Sequence, residues 1–244
     1  INIRDVDVVV ENNQPLSEAP AGASELDKQI AAQIFPFIHD GDTLQLGIGG
    51  MPNALGTLIA KSDLKDLGMH TELMSDGYLD LYKAGKITNK RKPLQHGKGV
   101  FSICSGSKEL YEFLDHNIDI LSAPMHYVND PETIRQLDHF VSINGCIACD
   151  LYGQVSSESA GTRQISGTGG QLDFVTGAYT AEHGRTFLAM REPVDKKGVR
   201  HSNIVPCFTG GDIITTPRAQ TMYIVTEYGA VNLAALRRGS GRKN

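Results

Sequence analysis

Gly41-Asp42-Thr43-Leu44-Gln45-Leu46-Gly47-Ile48-Gly49-Gly50-Met51-Pro52-Asn53-Ala54-Leu55 is the stretch from which the fold is read. Thr43, Leu44 and Leu46 form a buried strand that runs straight into glycine, and Gly47, Gly49 and Gly50 make the turn. Pro52 suits the first turn of a helix, where its missing N–H costs nothing. Ala54, Leu55, Leu58 and Ile59 continue at helical spacing. Strand, glycine turn, helix is the arrangement that aims backbone N–H groups at a negatively charged group. Side chains in that turn would keep a ligand away from the backbone. The unit predicts an α/β fold in which 47–52 links a strand end to a helix start.

Working outward, Ser24 reads as an N-cap with Asp27 three residues on. The helix it opens carries an apolar face of Leu26, Ile30, Ala31, Ile34, Phe37 and Ile38, ended or kinked by Pro36. Before it, residues 1–10 alternate as a strand, and 11–22, with Pro15 and Pro20, cross the surface as a loop. Downstream, 61–68 is a charged turn, 69–76 the next strand, and Leu79, Leu81, Tyr82 and Ala84 mark a helix stopped by Gly85. The connection 83–98 holds six basic residues, Lys83, Lys86, Lys90, Arg91, Lys92 and Lys98. It reads as an exposed face, either simply solvated or meeting phosphates. Residues 99–105 form a strand, Ser107 caps a helix, 118–123 is a short strand, 125–130 a loop, and Pro131 opens a helix over 132–137. This alternation is the signature of a parallel sheet.

The rhythm then changes. Residues 140–150, 153–157, 186–190, 203–208, 213–216 and 222–226 read as strands, expected as hairpins added to the same sheet or layer. Among them lie a second glycine stretch, 161–174, and a short polar segment, 178–184. The expected architecture is α/β, a mainly parallel open sheet flanked by helices with a strand-rich second half. No fixed-period repeat and no low-complexity linker divides it, so 1–244 reads as one domain.

Composition narrows the function. Apolar residues make up 40% and the net charge is −5, which argues against a general binder of nucleic acid or anionic membranes. The basic run 237–243 reads as a solvated end. No apolar run reaches the length of a membrane span, and no charged-then-apolar leader opens the chain. The chain starts at Ile1 rather than Met, as a processed product or fragment does. Cys146 and Cys149 form a C-x-x-C without the second pair or nearby histidine of a zinc set. Alternation of Val141, Ile143, Gly145 and Ile147 places those two cysteines on opposite faces of a strand. A reducing, cytoplasmic location is the default. The eight histidines show no metal-ligand spacing, and no metal site is expected.

Two chemistries fit the first glycine turn. A dinucleotide fingerprint needs G-x-G-x-x-G after a strand with an acid about 20 residues on. Gly47, Gly49 and Glu72 fit it, but Pro52 takes the place of the third glycine, and a purely structural turn is a comparable reading of this segment. Alternatively, Glu72 is a nucleophile toward an activated acyl group. The resulting anhydride needs backbone N–H donors for its oxyanion, and 47–50 and 167–170 supply them. An exposed strand-end acid is the plain alternative for Glu72, and a structural, hydrogen-bonded histidine is the plain reading of His70. Ser157-Glu158-Ser159 either lines a pocket or packs at a strand end. Ser-His-Asp hydrolysis lacks its G-x-S-x-G elbow.

Six ordered blocks carry a family resemblance: 47–54 (GIGGMPNA), 70–77 (HTELMSDG), 127–131 (YVNDP), 157–161 (SESAG), 164–174 (QISGTGGQLDF) and 226–229 (TEYG). Together they resemble the acetyl-CoA hydrolase/transferase family, in its 4-hydroxybutyrate and butyryl-CoA:acetate CoA-transferase branch. The resemblance implies that Glu72 is the nucleophile. It implies that backbone N–H groups at Ile48 and Gly170 form the outer oxyanion hole and that Asn129 serves the inner oxyanion. Gly47, Gly49, Gly50, Gly167 and Gly169 are then the glycines that admit coenzyme A, a substrate rather than a tightly bound cofactor. The family folds as two related α/β halves, and these motifs belong to the C-terminal half. The expected partners are acyl-CoA, short carboxylates, an N-terminal half or subunit, and further copies in a homo-oligomer. After Leu236 the family continues with a charged helix, which 237–244 does not resemble. Acyl-CoA hydrolysis and a CoA- or nucleotide-binding module without activity of its own are the alternative functions.

Overall fold

The computed structural model describes residues 3–19, 22–192, 194 and 197–234. Ser24 and Asp27 close a reciprocal capping box on α1 (Glu25–Ile34). Pro36 turns the end of that helix into a single 3-10 turn, Phe35–Phe37. β1 (Thr43–Leu46), buried at all four positions, leads through Gly47–Gly49 into α2 (Gly50–Ala60). The alternation continues with β2 (Gly68–Met74), α3 (Asp76–Lys83), β3 (Gly99–Cys104), α4 (Lys108–Leu114), β4 (Ile120–Ser122), α5 (Met125–Val128), α6 (Pro131–Ile134) and β5 (Phe140–Gly145). Short strands β6 (Ala148–Asp150), β7 (Val155–Ser156), β8 (Ser159–Ala160) and β9 (Arg163–Gln164) follow. Then come α7 (Gln171–Thr180), β10 (Arg185–Ala189), β11 (Ile204–Val205), β12 (Tyr223–Thr226) and β13 (Gly229–Asn232).

Eight strands form the main sheet in the order β13-β12-β10-β5-β1-β2-β3-β4. All neighbours run parallel except β12 and β13. The largest apolar cluster packs α1, α2 and α3 on one face, through residues such as Ile34, Leu55, Ile59 and Leu79. A second cluster, including Val128, Ile134, Phe140 and Phe174, packs α5, α6 and α7 on the other. Strands β1 and β5 are buried but alternate, with Leu44, Leu46, Val141 and Ile143 in the first cluster and the buried polar residues Gln45, Ser142 and Asn144 between them. The chain leaves β1 toward β2 on one side and returns with β5 on the other. That reversal makes the carboxyl ends of β1 and β5 the place where such sheets open a crevice.

Several expectations are corrected. Residues 3–10 form a 3-10 turn, Ile3–Asp5, followed by exposed chain with no strand partner among the described residues. Alternation alone does not make a strand without an edge to pair with. Lys92 is not part of an exposed face but is fully buried. Its Nζ donates to the Met69 and Lys98 carbonyls at 2.9 and 2.7 Å. Residues 125–128 form a helical turn rather than loop. The 140–150 run breaks after Gly145, and Cys146 and Cys149 pack into one apolar cluster with Val155, Leu188 and Ile224 instead of facing opposite ways. All four cysteines are free thiols.

α7 takes in the end of the glycine stretch, 171–174, and the first residues of the polar segment expected over 178–184. Gly177 and the β-branched Val175 and Thr176 mask its helical pattern, yet a Cβ at Gly177 would press on Ile134, so the glycine lets α6 and α7 approach. β5, β10 and β12 enter the main sheet in parallel, with β12–β13 the hairpin added to it, while the antiparallel pairs β6–β7 and β8–β9 lie in two smaller sheets. Of 203–208 only β11 is strand, and 213–216 contributes a single bridge, Thr216 to Val155. The basic run 237–243 and the departure after Leu236 lie outside the described residues. No described helix is long and apolar enough to cross a membrane.

Candidate active site

β1 and β2 pair only at Thr43–Gly68 and Leu44–Met69, then part. The Tyr78 hydroxyl from α3 enters the gap, accepting from Leu46 N–H at 2.7 Å and donating to the Leu44 carbonyl at 3.2 Å. Above this split lies a cavity of about 390 Å³ lined by Gly47, Ile48, Glu72, Gly167, Gly169 and Gly170, among others. Its floor is polar. Gln45, Ser142 and Asn144 hydrogen-bond one another on the adjoining strands β1 and β5, with distances of 2.7–3.1 Å. Only Gln45, an amide inside an apolar strand, hinted at this network in the sequence.

Glu72 stands half-buried near the carboxyl end of β2, and its Oε2 accepts from Asn129 Nδ2 at 2.9 Å. Asn129 is held from both sides. It ends α5, and the next residue, Asp130, caps α6 by accepting from the N–H groups of Glu132 and Thr133. His70 lies two residues before Glu72 on the same face of β2. Burial pushes its pKa down to about 4, so the ring is neutral. Its Nε2 lies 2.7 Å from the Val128 carbonyl, which only accepts, so the proton sits on Nε2. His70 is thus the structural histidine, and what it fixes is the residue beside Asn129.

Gly170 immediately precedes α7 and presses against the carboxylate. A Cβ there would overlap Glu72 Oε2 and come within 2.5 Å of Asn129 Nδ2. The N-terminus of α7, with its partial positive charge, therefore adjoins Glu72. Gln171 Nε2 donates to Ser157 Oγ and Thr216 Oγ1, at 2.8 and 3.1 Å, and so anchors the start of α7. Ile48 is 70% exposed at the cavity mouth, on a turn that Gly49 makes with φ of 114°. The Gly47 N–H is already spent on the Ile143 carbonyl at 2.8 Å, so Gly47 contributes closeness rather than a free donor.

Of the nine residues singled out from the sequence, Glu72, Ile48, Gly47, Gly167, Gly169 and Gly170 line this cavity, and Asn129 reaches it through Glu72. Gly49 and Gly50 do not line it. Gly50 belongs to a neighbouring space of about 170 Å³ that shares Ile48. Glu158 is buried with one carboxylate oxygen lacking a hydrogen-bond partner, and it is absent from the cavity wall, whereas Ser157 lines it. Glu227 is a second buried carboxylate, its nearest cation Arg200 at 3.8 Å. A larger cavity, about 820 Å³, lies across Ile103 and is walled by Pro15, Leu16, Phe101, Tyr111 and Leu114. It is the bigger space, and Glu18, Glu112 and Asp115 line it, but neither glycine segment that adjoins Glu72 reaches it.

Chemically, one carboxylate oxygen is held by an amide while backbone from two glycine segments stands beside it. That arrangement suits attack by a carboxylate on an acyl group with donors at hand for the oxyanion.

Residues 106–240 match the model of the acetyl-CoA hydrolase/transferase C-terminal domain. The chain is 47% identical over 240 residues to butyryl-CoA:acetate CoA-transferase of Anaerostipes caccae, covering 97% of this chain and 54% of that protein. It is 42% identical to 4-hydroxybutyrate coenzyme A transferase of Clostridium kluyveri, covering 96% of this chain and 54% of that one. The crystal structure of RipA from Yersinia pestis superimposes with a TM-score of 0.86 at 44% identity, over 96% of this chain and 52% of RipA. Acetyl-CoA hydrolases at 30% identity are among the more distant matches. The chain spans about half the length of the curated relatives it matches.

Proposed function

Because the chain belongs to the acetyl-CoA hydrolase/transferase family, we propose that it is the nucleophile-bearing C-terminal half of a CoA-transferase acting between a short-chain acyl-CoA and acetate. The Glu72 carboxylate attacks the thioester carbonyl, the C–S bond breaks, and the CoA thiolate leaves a mixed anhydride behind. The thiolate then attacks the glutamyl carbonyl and releases the acyl group as its carboxylate. Acetate attacks the resulting glutamyl thioester, expelling thiolate again, and thiolate attack on the acetyl carbonyl forms acetyl-CoA and frees Glu72. Ile48 and Gly170 N–H groups serve the oxyanion on the substrate carbonyl, and Asn129 Nδ2 serves the one on the glutamyl carbonyl. Gly47, Gly167 and Gly169 keep the walls bare for the pantetheine arm, with Gly49 and Gly50 shaping the turn. Coenzyme A is a substrate, and the protein works in a reducing, cytoplasmic setting as a homo-oligomer. The rest of the relatives' length supplies the opposing wall.

The observation that carries this reading is the meeting of Glu72, Asn129 and Gly170, residues 57 and 98 positions apart along the chain from Glu72. The test uses the full-length protein incubated with butyryl-CoA and no acceptor, followed by proteolysis and mass spectrometry. CoA is expected on the Glu72 peptide, and absent in Glu72→Gln. Addition of acetate is expected to discharge it as acetyl-CoA. Discharge by water at the same rate without acetate would make the protein a hydrolase, and normal turnover by Glu72→Gln would remove Glu72 from the mechanism.

A further inference from the structure

β5 and β10 are parallel neighbours with Arg185 opposite Val141, which brings His183 level with His139 where the two strands begin. This is the end of the sheet away from Glu72. Each histidine follows an acid, in Asp138-His139 and Glu182-His183. Both histidines hold φ at 56°, the left-handed region that residues other than glycine seldom adopt. Their rings stack with centroids 4.7 Å apart and planes 26° from parallel, which is the spacing between neighbouring strands. The backbone locks the pair, since His139 N–H donates to the Glu182 carbonyl at 2.9 Å. The two imidazoles are therefore juxtaposed by sheet register, not by the chance of two long side chains meeting.

One potential ligand atom each from Asp138, His139 and His183 lies within 4.8 Å of the others, and all three residues are solvent-accessible. The carboxylate of Glu182, 3.7 Å from His183, stands beside them. Ligand atoms around a tetrahedral metal lie about 3.4 Å apart, given bonds of about 2.0–2.1 Å. Binding requires the exposed rings to turn out of their stack and the carboxylate to rotate, so that all three ligand atoms aim at one point. Arg185, two residues after His183, is neutralised by Asp42 at 2.5 Å. Imidazole with carboxylate is a donor set for zinc, nickel, cobalt or copper, whereas magnesium and calcium prefer oxygen alone.

We propose that Asp138, His139 and His183 form a binding site for one divalent transition-metal ion, with zinc as the representative, that clamps the leading ends of β5 and β10. No step of acyl transfer runs through it. Linear spacing hides the site, since the histidines are 44 positions apart and only the parallel register unites them. The test is titration of the metal-stripped full-length protein with zinc chloride by calorimetry, with magnesium chloride as the comparison. The variants are His139→Asn with His183→Asn, since asparagine tolerates the left-handed backbone, and His116→Asn, which removes an exposed histidine beside a single acid. The protein is expected to bind one equivalent of zinc at micromolar or tighter affinity, with a rise in melting temperature, and no magnesium. The double variant should lose at least 30-fold in affinity and lose the zinc-dependent rise, while keeping the metal-free melting temperature and circular dichroism of the parent. Affinity unchanged in the double variant, or lost equally in His116→Asn, would show adventitious binding at surface histidines and overturn the proposal. Absence of zinc binding below millimolar would overturn it as well.

Discussion

Replacing Gly170 by alanine should separate activity from stability. The backbone at Gly170 has φ of −91° and ψ of 5°, which alanine adopts without strain. The new methyl would overlap Glu72 Oε2, with Asn129 Nδ2 at 2.5 Å and Glu72 Cδ at 3.0 Å. Normal contact begins at about 3.5 Å, so the amide must retreat by about 1 Å and the carboxylate oxygen by at least as much. The retreat is cheap in folding terms, because the groups that move are the free ends of side chains. Overpacking costs roughly 1–3 kcal/mol, partly offset by about 0.4–1 kcal/mol from the stiffer unfolded chain. For catalysis the same ångström is expensive, since such a misplacement is worth about 100-fold in rate. The expected result in the full-length protein is a fall of about 100-fold in kcat for butyryl-CoA and acetate, with a melting temperature within a few degrees of the parent. Gly210→Ala is the matched control, because a Cβ there meets nothing within 4 Å and the residue does not line the cavity. Full activity in Gly170→Ala, or equal losses in both variants, would refute the idea that the start of α7 sets the position of the Glu72 carboxylate.

Tyr78→Phe strands the buried Leu46 N–H and Leu44 carbonyl and should cost about 1–3 kcal/mol in urea unfolding; parental stability would mean that water or β2 replaces the hydroxyl. His70 has its folded pKa lowered to about 4, against about 6.5 when unfolded. Between those values the unfolded chain binds more protons, so stability is full above pH 6.5 and declines by about 3 kcal/mol as the pH falls toward 4. His70→Phe should flatten that limb and, by freeing the Asn129 segment, lower kcat more than it raises KM. Lys92 has its folded pKa lowered to about 7 by burial, so the wild type should gain stability relative to Lys92→Met as the pH rises from 7 toward 10.5. Urea curves at pH 6 and 9 test this, and a constant difference between the two proteins would refute the buried, deprotonating amine.

Much of the first half was legible because each local signal agreed with the fold. The capping box at Ser24, the strand–turn–helix at 43–60 and the stop at Gly85 are decided within a few residues of themselves. What escaped depends on contacts made far away. Lys92 is a charge in a basic run until β2 is laid beneath its methylenes, with bare Gly68 leaving room for them. Gly177 weakens a helix that packing against Ile134 requires. The C-x-x-C looks like one strand, but its first cysteine hands the Cys146 N–H to Ala189 and the chain turns into a different sheet. In the candidate site, the role of Glu72 was suggested by motif resemblance and by its glycine loop. The service of His70 to Asn129 could not be read, because no spacing rule connects β2 to the carbonyl of Val128.

The position of β5 in the sheet bears on how the molecule assembles. β1 finds β2 by closing a segment of about 25 residues, whereas it meets β5 only across about 100. Loop closure over the longer span costs about 1 kcal/mol more in chain entropy, and long-range pairing of this kind forms slowly. Until β5 arrives, β1 presents an unpaired apolar edge, the feature that invites aggregation. On a ribosome that edge waits while nearly a hundred further residues are made, so chaperone dependence should centre on this interval. Because β1 and β5 together bear the cavity floor, the recovery of enzymatic competence on refolding should trail the recovery of helical signal.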